Sequence, residues 1–425
     1  MSLSDLSRSE LEAELTRAHA DYEAFAGRGL ALDITRGKPS VQQLDLADAL
    51  LTSVTGDDCT SPSGVDVRNY GGLEGLIELR EIFAELLKVP AAQLLAQGNS
   101  SLTLMHQALS FACLFGTSVG TTPWAQQPRR ILCPVPGYDR HFRLAEALGF
   151  ELVSVEMDAD GPVIEQVEEL VATDPTIKGM WLVPLYSNPT GITISEDRAR
   201  RLVEMKTAAE DFKLLWDNAY ALHHLSEPHA EVLDILALAA AAGNPDRVWI
   251  FASTSKVTHA GAGVAFFGAS EADVAWFTGH LGAGSIGPDK VNQLRHLRFF
   301  GDAAGVVEHM KAHAEILRPK FEAVTRILSD RLGGDGIATW TEPKGGYFVT
   351  VSVLPGTADR VVELAADAGV KLTPAGSTHP YKLDPDNRVI RVAPSMPTLA
   401  EVETAVEGFA ACVRLAACEK LLAAD

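Results

Sequence analysis

The sequence predicts an α/β fold in which a large domain, with a mostly parallel central sheet wrapped by helices, adjoins a smaller α+β domain. Strand-like and helix-like segments alternate through residues 129–220, which is typical of parallel βαβ units whose sheet is covered on both faces. Polar turns follow several of the strand-like runs. Beyond residue 300 the pattern becomes helical and then returns to short strands.

Composition indicates a globular protein with a substantial core. The chain has 425 residues, of which 47% are hydrophobic and 22% are charged, and this length suits one large domain with a smaller partner. The formal net charge of −20 argues against nucleic acids or anionic membranes as partners. Neither a secretory signal nor a membrane span is expected from the apolar runs. Five scattered cysteines without a C-x-x-C pair indicate reduced thiols and a cytoplasmic protein.

The N-terminal part of the chain predicts helices separated by turns. Residues 1–30 carry leucines near helical spacing, and residues 33–40 are rich in turn formers. A glycine-rich turn at Asn69 leads into an amphipathic helix that extends to Leu87. Hydroxyl and amide residues, which suit helix starts, open another helix after Gly98.

The middle and C-terminal parts define the two predicted domains. Strands are expected in RRILCPV, GFELVSVEMD, KGMWLVPL and FKLLW, and helices in HFRLAEALG, PVIEQVEELVATD and SEDRARRLVEMKTAAED. EHMKAHAEILRPKFEAVTRILSDRL predicts a long helix, and GGYFVTVSVL, VKLTPAG and RVIRVAP predict elements of the α+β unit. We expect an N-terminal segment (1–60) that joins the small domain, a large domain (61–318) and a C-terminal small domain (319–425).

The stretch from Val248 to Gly268 contains the most informative lysine. Two short apolar runs, VWIFA and VAFFG, predict buried strands, and between them lie hydroxyl residues, Lys256 and a Gly-Ala-Gly turn. A lysine between buried strands is costly unless it has a partner or a covalent role, and desolvation lowers its pKa toward the neutral amine that Schiff-base chemistry needs. The alternative is a loop lysine that reaches water, and this stretch alone favours neither.

Other polar side chains follow neighbouring strands. Ligands of open α/β sheets bind at the carboxyl ends of the strands, where the sequence places Tyr138, Asn188, Asp217 and Lys256. Asp217 closes an apolar run, and its alternative role is to cap the next helix. Together, however, a carboxylate, a Schiff-base lysine and hydroxyl donors for a phosphate are the groups that a pyridoxal phosphate site requires, because the carboxylate keeps the pyridine nitrogen protonated.

Seven short motifs, taken in order, are similar to those of a known enzyme family. They are NYGGLEG (69–75), GNSSL (98–102), PGY (136–138), SNPTG (187–191), DNAY (217–220), STSK (253–256) and RVAP (391–394). Each is weak alone, but their joint order and spacing are specific. The chain resembles the fold-type I pyridoxal 5'-phosphate-dependent aminotransferases, and within them the aspartate aminotransferase-like subgroup related to MocR-type enzymes. The resemblance covers nearly the whole chain and implies the family's fold.

The resemblance assigns roles around the cofactor ring. Lys256 would form the Schiff base and then carry the proton between substrate and cofactor, and Asp217 would pair with the pyridinium nitrogen. Asn188 and Tyr220 would hydrogen-bond the phenolic oxygen. Tyr138 would stack on the ring, although a lone tyrosine is commonly a packed surface aromatic.

The resemblance also implies a phosphate cup. Ser100, Ser101 and the main-chain N–H of Leu102 would form it, with further hydroxyl groups from Ser253 and Ser255. The alternative for the serine pair is ordinary helix capping, which is compatible with binding a phosphate.

On the substrate side, the resemblance implies that Arg391 binds the α-carboxylate, for which a bidentate guanidinium is better suited than a lysine. A surface ion pair is its alternative. Gly37 matches the family's substrate-side glycine, and Tyr70 matches a tyrosine that reaches the neighbouring subunit's phosphate, which implies a homodimer with shared sites. A dicarboxylic substrate needs a second cation, and Arg36 and Lys38 flank Gly37; a solvated turn is an equally ordinary explanation for both.

One position departs from the family's pattern. The family places an arginine eight residues after the lysine, where it clamps the phosphate, and this chain has Val264 there. His259 lies nearby in the sequence, but loop histidines are usually solvated. Two further patterns predict no site. Gly282–Gly287 fits G-x-G-x-x-G but follows a helix-like run instead of a strand, and the adjacent His223 and His224 share no helix face on which to bind a metal.

The sequence therefore predicts a transaminase that moves an amino group from an L-amino acid to a 2-oxo acid by a ping-pong mechanism. Aspartate and 2-oxoglutarate are expected from the subgroup resemblance. One alternative is another pyridoxal phosphate reaction, a β-lyase or a decarboxylase. The other is a non-catalytic ligand-sensing domain of the MocR kind. Such regulators carry an N-terminal DNA-binding domain, whereas only a segment of about thirty residues, acidic in character, precedes the site segment here.

Overall fold

The computed structural model describes residues 2–424 and has an eight-stranded sheet at its centre, in the order β2-β9-β8-β7-β6-β3-β4-β5. The strands are β1 (Leu32–Asp33), β2 (Leu94–Ala96), β3 (Arg130–Val135), β4 (Glu151–Asp158), β5 (Gly161–Pro162), β6 (Ile177–Leu182), β7 (Lys213–Asp217), β8 (Val248–Ser253), β9 (Ala265–Gly268), β10 (Ala338–Trp340), β11 (Val349–Val353), β12 (Val370–Lys371) and β13 (Val389–Val392).

The core of this sheet is parallel, as predicted. The neighbouring pairs β4–β3, β3–β6, β6–β7 and β7–β8 all run in the same direction. Strand β9 is antiparallel to β8, because the segment that joins Ser253 to Ala265 is too short for a crossover connection. It is also antiparallel to β2. The carboxyl ends of β3, β6, β7 and β8 therefore lie along one edge of the sheet.

Helices cover the sheet and form most of the C-terminal part. They are α1 (Arg8–Ala26), α2 (Val41–Asp45), α3 (Ile77–Leu87), α4 (Ser101–Phe115), α5 (Asp139–Ala147), α6 (Ile164–Thr173), α7 (Glu196–Glu204), α8 (Ile235–Ala241), α9 (Glu271–Leu281), α10 (Lys290–Phe300), α11 (Ala303–Leu332), α12 (Ala358–Asp367) and α13 (Leu399–Ala424). Short 3-10 segments occupy Leu3–Asp5, Asp48–Thr52, Ala91–Gln93, Trp124–Gln126, Pro245–Arg247 and Pro380–Lys382.

The predicted N-terminal helix is shorter than residues 1–30. A capping box starts α1, since the carboxylate of Glu10 accepts from the main-chain N–H of Ser7 at 2.8 Å. Gly27 follows its last turn. No helix within residues 2–424 is both long enough and apolar enough to cross a bilayer.

Two smaller sheets lie outside the large one. Strand β11 pairs in antiparallel fashion with β10 and β13, and β1 pairs in parallel with β12. The β1–β12 pair joins the N-terminal segment to the C-terminal part of the chain, and α1 packs against α13. The α/β class, with a large, mostly parallel sheet and separate small sheets, is confirmed.

The inner strands are buried on both faces, which explains their nearly continuous apolar sequences. Every residue of β6 and β7 is buried. The two lysines in these strands are each paired with a carboxylate, Lys178 with Asp211 at 3.0 Å and Lys213 with Asp273 at 2.7 Å, as buried charges require.

Candidate active site

The ends of the inner strands enclose a small cavity. Its walls bring together the four residues that the sequence places after these strands, Tyr138, Asn188, Asp217 and Lys256. The remaining lining residues are Ser101, Leu102, Met105, Val183, Ala219 and Tyr220. Parallel strands explain the convergence, because their carboxyl ends share one edge of the sheet.

Asp217 ends β7 and is 2% exposed. Its Oδ2 accepts a hydrogen bond from Nε2 of His141 at 2.9 Å. Its Oδ1 is buried and has no hydrogen-bond partner among the described residues. A buried carboxylate oxygen without a donor is costly. A protonated pyridine nitrogen is the donor that fits here, so the side chains present are compatible with pyridoxal phosphate.

His141 is a site residue that sequence reasoning missed. Its ring stacks on Trp181, with ring centres 4.3 Å apart and planes inclined by 8°, and this packing aims Nε2 at Asp217. The residue lies in the first turn of α5, three positions after Tyr138, where it is indistinguishable from an ordinary helical histidine. The only indication of its role is that the buried carboxylate of Asp217 needs a hydrogen-bond donor, which His141 supplies.

Lys256 lies in the turn after β8. Its Nζ is 4.8 Å from the centre of the Tyr220 ring. Burial lowers the pKa of Lys256, and the negative charge of Asp217 opposes that shift only in part. The main-chain oxygen of Lys256 accepts from Nε2 of His223 at 3.2 Å and from the hydroxyl of Tyr347 at 3.4 Å. The structure thus holds the lysine backbone and favours the neutral amine that a nucleophile needs.

Two tyrosines flank this lysine. Tyr220 is 2% exposed, and burial, together with the charges of Tyr138 and Asp217, raises its pKa well above the ordinary value. Burial raises the pKa of Tyr138 to about 12, and Asp217 adds to the shift. The Tyr138 ring meets the His141 ring edge-on at 4.9 Å. Both phenols are therefore hydrogen-bond donors at neutral pH.

The predicted phosphate cup lies at the start of α4. Ser100 is its N-cap and accepts from the main-chain N–H of Thr103 at 3.4 Å. Ser253 and Ser255 share a hydrogen bond of 3.1 Å, and the Ser255 hydroxyl donates to the main-chain oxygen of Asn99 at 3.1 Å. This places both hydroxyls beside the segment that precedes α4, where main-chain N–H groups suit an anion.

Val264 stands in the apolar core instead of the cup. It is 1% exposed, and its main-chain N–H donates to the Thr254 hydroxyl at 2.8 Å. His259 pairs with Asp48 at 3.4 Å. Val264 therefore supplies no charge to the predicted cup, whose candidate donors are the hydroxyl groups and main-chain N–H groups at the start of α4.

Arg391 approaches the cavity from β13 and is 8% exposed. Its Nη1 donates to Oδ1 of Asn188 at 3.2 Å and to Oδ1 of Asp139 at 3.1 Å, and its Nη2 donates to the Thr373 hydroxyl at 3.4 Å. Its guanidinium lies over the Phe348 ring, 4.9 Å from the ring centre. Asp139, Thr373 and Phe348 were not identified from the sequence.

Gly37 also lies against the Phe348 ring. A Cβ atom at this position would come within 2.3 Å of the ring, so the close approach requires glycine. Arg36 and Lys38 are exposed, and neither lines the cavity around Lys256. Tyr70 is 79% exposed and also lies outside the cavity of its own chain.

One of the two patterns set aside in the sequence is a loop in the structure. Gly282–Gly287 follows α9 as a loop, as predicted. Within residues 2–424, no three histidine, cysteine or acidic side chains come together in a way that could hold a metal ion.

Proteins of known type match this chain over almost its full length. An aspartate aminotransferase of Corynebacterium glutamicum is 51% identical over 423 residues, which is 98% of each chain. A protein of Mycolicibacterium smegmatis is 54% identical over 426 residues, which is 99% of each chain. Its name describes it as an aminotransferase and specifies no substrate. The crystal structure of an aspartate transaminase from Corynebacterium glutamicum has a TM-score of 0.97 at 50% identity and covers 99% of both chains.

The fold also extends to a more distant protein. LysN, the α-aminoadipate aminotransferase of Thermus thermophilus, was crystallised with N-(5'-phosphopyridoxyl)-L-leucine; it is 20% identical, has a TM-score of 0.73 and covers 96% of this chain and 98% of its own. The family model of aspartate amino-transferases matches residues 6–425. The chain therefore belongs to the aspartate amino-transferase family and is a fold-type I pyridoxal phosphate-dependent aminotransferase.

Proposed function

We propose that this aminotransferase takes its amino group from L-aspartate and passes it to 2-oxoglutarate by a ping-pong mechanism. The observation that carries the chemistry is the unpartnered, buried Oδ1 of Asp217 in the cavity that Lys256 also lines. Support for the substrate comes from the relative at 51% identity, which is named aspartate aminotransferase.

Pyridoxal phosphate, when bound, supplies an electron sink for the negative charge that develops at the substrate Cα. Asp217 would keep its pyridine nitrogen protonated, because Oδ1 is the free acceptor and His141 already holds Oδ2. Tyr138 would cover the ring, and Ser100 and Ser101 would bind the phosphate at the start of α4.

Lys256 would anchor the cofactor and then move a proton. Its lowered pKa leaves the amine neutral at a lower pH than an exposed lysine, so Nζ accepts the proton that leaves the substrate Cα. The hydrogen bonds to its main-chain oxygen from His223 and Tyr347 keep the side chain aimed at the same place during this transfer. Tyr220 would donate its O–H to the cofactor's phenolic oxygen.

Arg391 would bind the α-carboxylate that both substrates share. Its guanidinium is held by Asn188 and lies over the Phe348 ring, and this arrangement limits its rotation before substrate arrives. A side-chain carboxylate needs a further cation, and we propose Arg36 for it, because this exposed arginine adjoins Gly37 at the Phe348 ring.

We further propose a homodimer in which each chain completes the other's site. Tyr70 and Ile286 are 79% and 63% exposed, and the turns that carry them touch at Gly71 and Gly287. Lys290 fixes this contact by donating to the main-chain oxygen of Gly71. These two exposed side chains would be covered in a homodimer, and the resemblance implies that Tyr70 reaches the partner's phosphate.

The experiment is a half-reaction with the purified holoenzyme. L-Aspartate alone should convert the bound cofactor to its amino form and release one equivalent of oxaloacetate, and 2-oxoglutarate should then restore the original absorption spectrum. A decarboxylase would instead release carbon dioxide and an amino acid one carbon shorter, and a β-lyase would leave L-aspartate unchanged but release pyruvate and ammonia from a three-carbon amino acid with a leaving group on Cβ. Neither enzyme would leave a stable amino form of the cofactor, and either outcome would overturn the proposal.

A further inference from the structure

Arg391 already has a carboxylate partner within the protein. Asp139 is the first residue of α5 and directly follows Tyr138. Its Oδ1 lies 3.1 Å from Nη1 of Arg391, and the Asp139 side chain is 36% exposed whereas that of Arg391 is 9% exposed. The aspartate thus remains in contact with solvent, while the guanidinium it binds is nearly covered.

The donors of Arg391 are unequally accessible. Nη1 carries two N–H groups, and these point to Asn188 and Asp139. Nε is buried and has no partner among the described residues, while the Phe348 ring covers one face of the guanidinium. Both N–H groups of Nη1 are therefore taken, whereas within residues 2–424 Nε has no partner and Nη2 makes only a long contact of 3.4 Å with Thr373.

We propose that Asp139 competes with the substrate α-carboxylate for Arg391 and thereby limits the affinity for both substrates. This inference rests on the proposed role of Arg391. A substrate carboxylate that binds through Nη2 and Nη1 needs the N–H that Asp139 holds, and one that binds through Nη2 and Nε still lies beside the charge of Asp139. Two carboxylates at one guanidinium repel each other, so Asp139 opposes substrate binding until it moves away.

The geometry allows this exchange. The Asp139 side chain is partly exposed, so it can rotate into solvent without leaving a buried, unpaired charge. It sits in the first turn of α5, where free main-chain N–H groups stabilise a carboxylate that has left Arg391. Because Asn188 stays on Nη1, the guanidinium keeps its orientation during the exchange.

If Asp139 instead positioned Arg391, its removal would change the substrate affinity in the opposite direction. If Asp139 served to position Arg391, its removal would loosen the guanidinium and weaken substrate binding. If Asp139 competes, its removal strengthens binding. A partly exposed ion pair of this kind predicts an increase in affinity of about two- to fivefold.

The test is a titration of the holoenzyme with succinate, which has the two carboxylates of aspartate but no amino group and therefore binds without reacting. Asp139→Asn should lower the Kd of succinate, measured by calorimetry, and the KM of L-aspartate by about two- to fivefold. Asp139→Ser, which keeps a residue suited to a helix start, should give the same direction. Glu146→Gln is the matched control, because it removes one carboxylate from the same helix without touching Arg391.

An unchanged or increased Kd in both Asp139 variants would overturn the inference. Arg391→Ala separates that failure from a failure of the proposed function. If Arg391→Ala weakens succinate binding while the Asp139 variants do not strengthen it, only the competition is wrong. If Arg391→Ala leaves succinate binding unchanged, the proposed role of Arg391 is wrong as well.

Discussion

The half of the candidate site that we propose for the cofactor ring (the cofactor half) and the half that we propose for the substrate (the substrate half) differ in how their charged side chains are held. In the cofactor half, Asp217 ends a fully buried strand and its orientation is set by His141. In the substrate half, Arg391 divides its donors among Asn188, Asp139 and Thr373, one of which is a partly exposed carboxylate.

This difference in how the side chains are held suggests that the cofactor half serves the chemical step and the substrate half serves substrate binding. A buried carboxylate with one free oxygen presents a single geometry, which suits a group that acts on the transition state. A guanidinium with several exchangeable partners adapts to two substrates in turn, as the proposed ping-pong reaction requires. We therefore expect substitutions in the cofactor half to lower kcat and substitutions in the substrate half mainly to raise KM.

The largest effect is expected at Lys256. Lys256→Ala removes both the covalent anchor and the proton acceptor, and it should lower kcat for L-aspartate by at least about 10⁴-fold. Steady-state assays and circular dichroism would show lost turnover in a folded protein. Lys311→Ala, at an exposed lysine on α11, is the control. If kcat of Lys256→Ala stayed within tenfold of the wild-type value, the cofactor half could no longer be distinguished from the substrate half by its effect on kcat.

Asp217→Asn should have the next largest effect. The amide keeps the size of the side chain but loses the negative charge that holds the pyridine nitrogen protonated, so kcat should fall by about 10²- to 10³-fold with a small change in KM. Asp211→Asn, at another buried carboxylate that is paired with Lys178, should lower the melting temperature and leave kcat nearly unchanged. A rise in KM without a fall in kcat for Asp217→Asn would contradict its assignment to the cofactor half.

Arg391→Ala should act mainly on binding. Loss of a charge-assisted bidentate contact predicts a KM for L-aspartate about 10- to 100-fold higher. Arg326→Ala, which breaks a surface ion pair with Glu403, provides a control for the loss of an arginine. Should kcat fall and KM stay constant, Arg391 would belong with the chemical groups and the comparison would fail.

The smallest effect concerns a buried chain of hydrogen bonds behind Lys256. His313 accepts a hydrogen bond from Gln43, which also donates to Tyr347 behind Lys256. Burial lowers the pKa of His313 to about 4, below its value in the unfolded chain. Between pH 6.5 and 4 the unfolded chain therefore binds more protons, and the free energy of unfolding falls as pH falls.

This linkage can be measured by urea unfolding at pH 7 and pH 5. His313 alone should account for about 2 kcal/mol of the loss at pH 5. In His313→Gln the loss between the two pH values should be smaller by that amount. An equal loss in both proteins would show that His313 is not held neutral in the folded state.

The cofactor half was largely predictable from the sequence, and the reason is topological. Each of its predicted residues follows a strand or opens a helix at the same sheet edge, so local patterns are enough to bring Asn188, Asp217 and Lys256 together. His141 was missed because its partner is distant in the sequence and its own helix gives no sign of the contact.

The substrate half was less accessible to sequence reasoning. Gly37, Phe348 and Arg391 come from three separate elements, and their stacking depends on how the small sheets pack against the large one. Family resemblance identified Gly37 and Arg391, but nothing local distinguishes Phe348 from an ordinary core aromatic. The pairing of Asp139 with Arg391 spans most of the chain and has no sequence signature.

The central claim is that Lys256 is the residue that bears the cofactor, and chemical labelling tests it most directly. The holoenzyme would be reduced with sodium borohydride, digested with trypsin and examined by mass spectrometry. We predict one pyridoxyl group per chain, on the peptide that contains Lys256, and no label after prior conversion of the cofactor by L-aspartate. A label on any other lysine, or none in the untreated holoenzyme, would contradict the account.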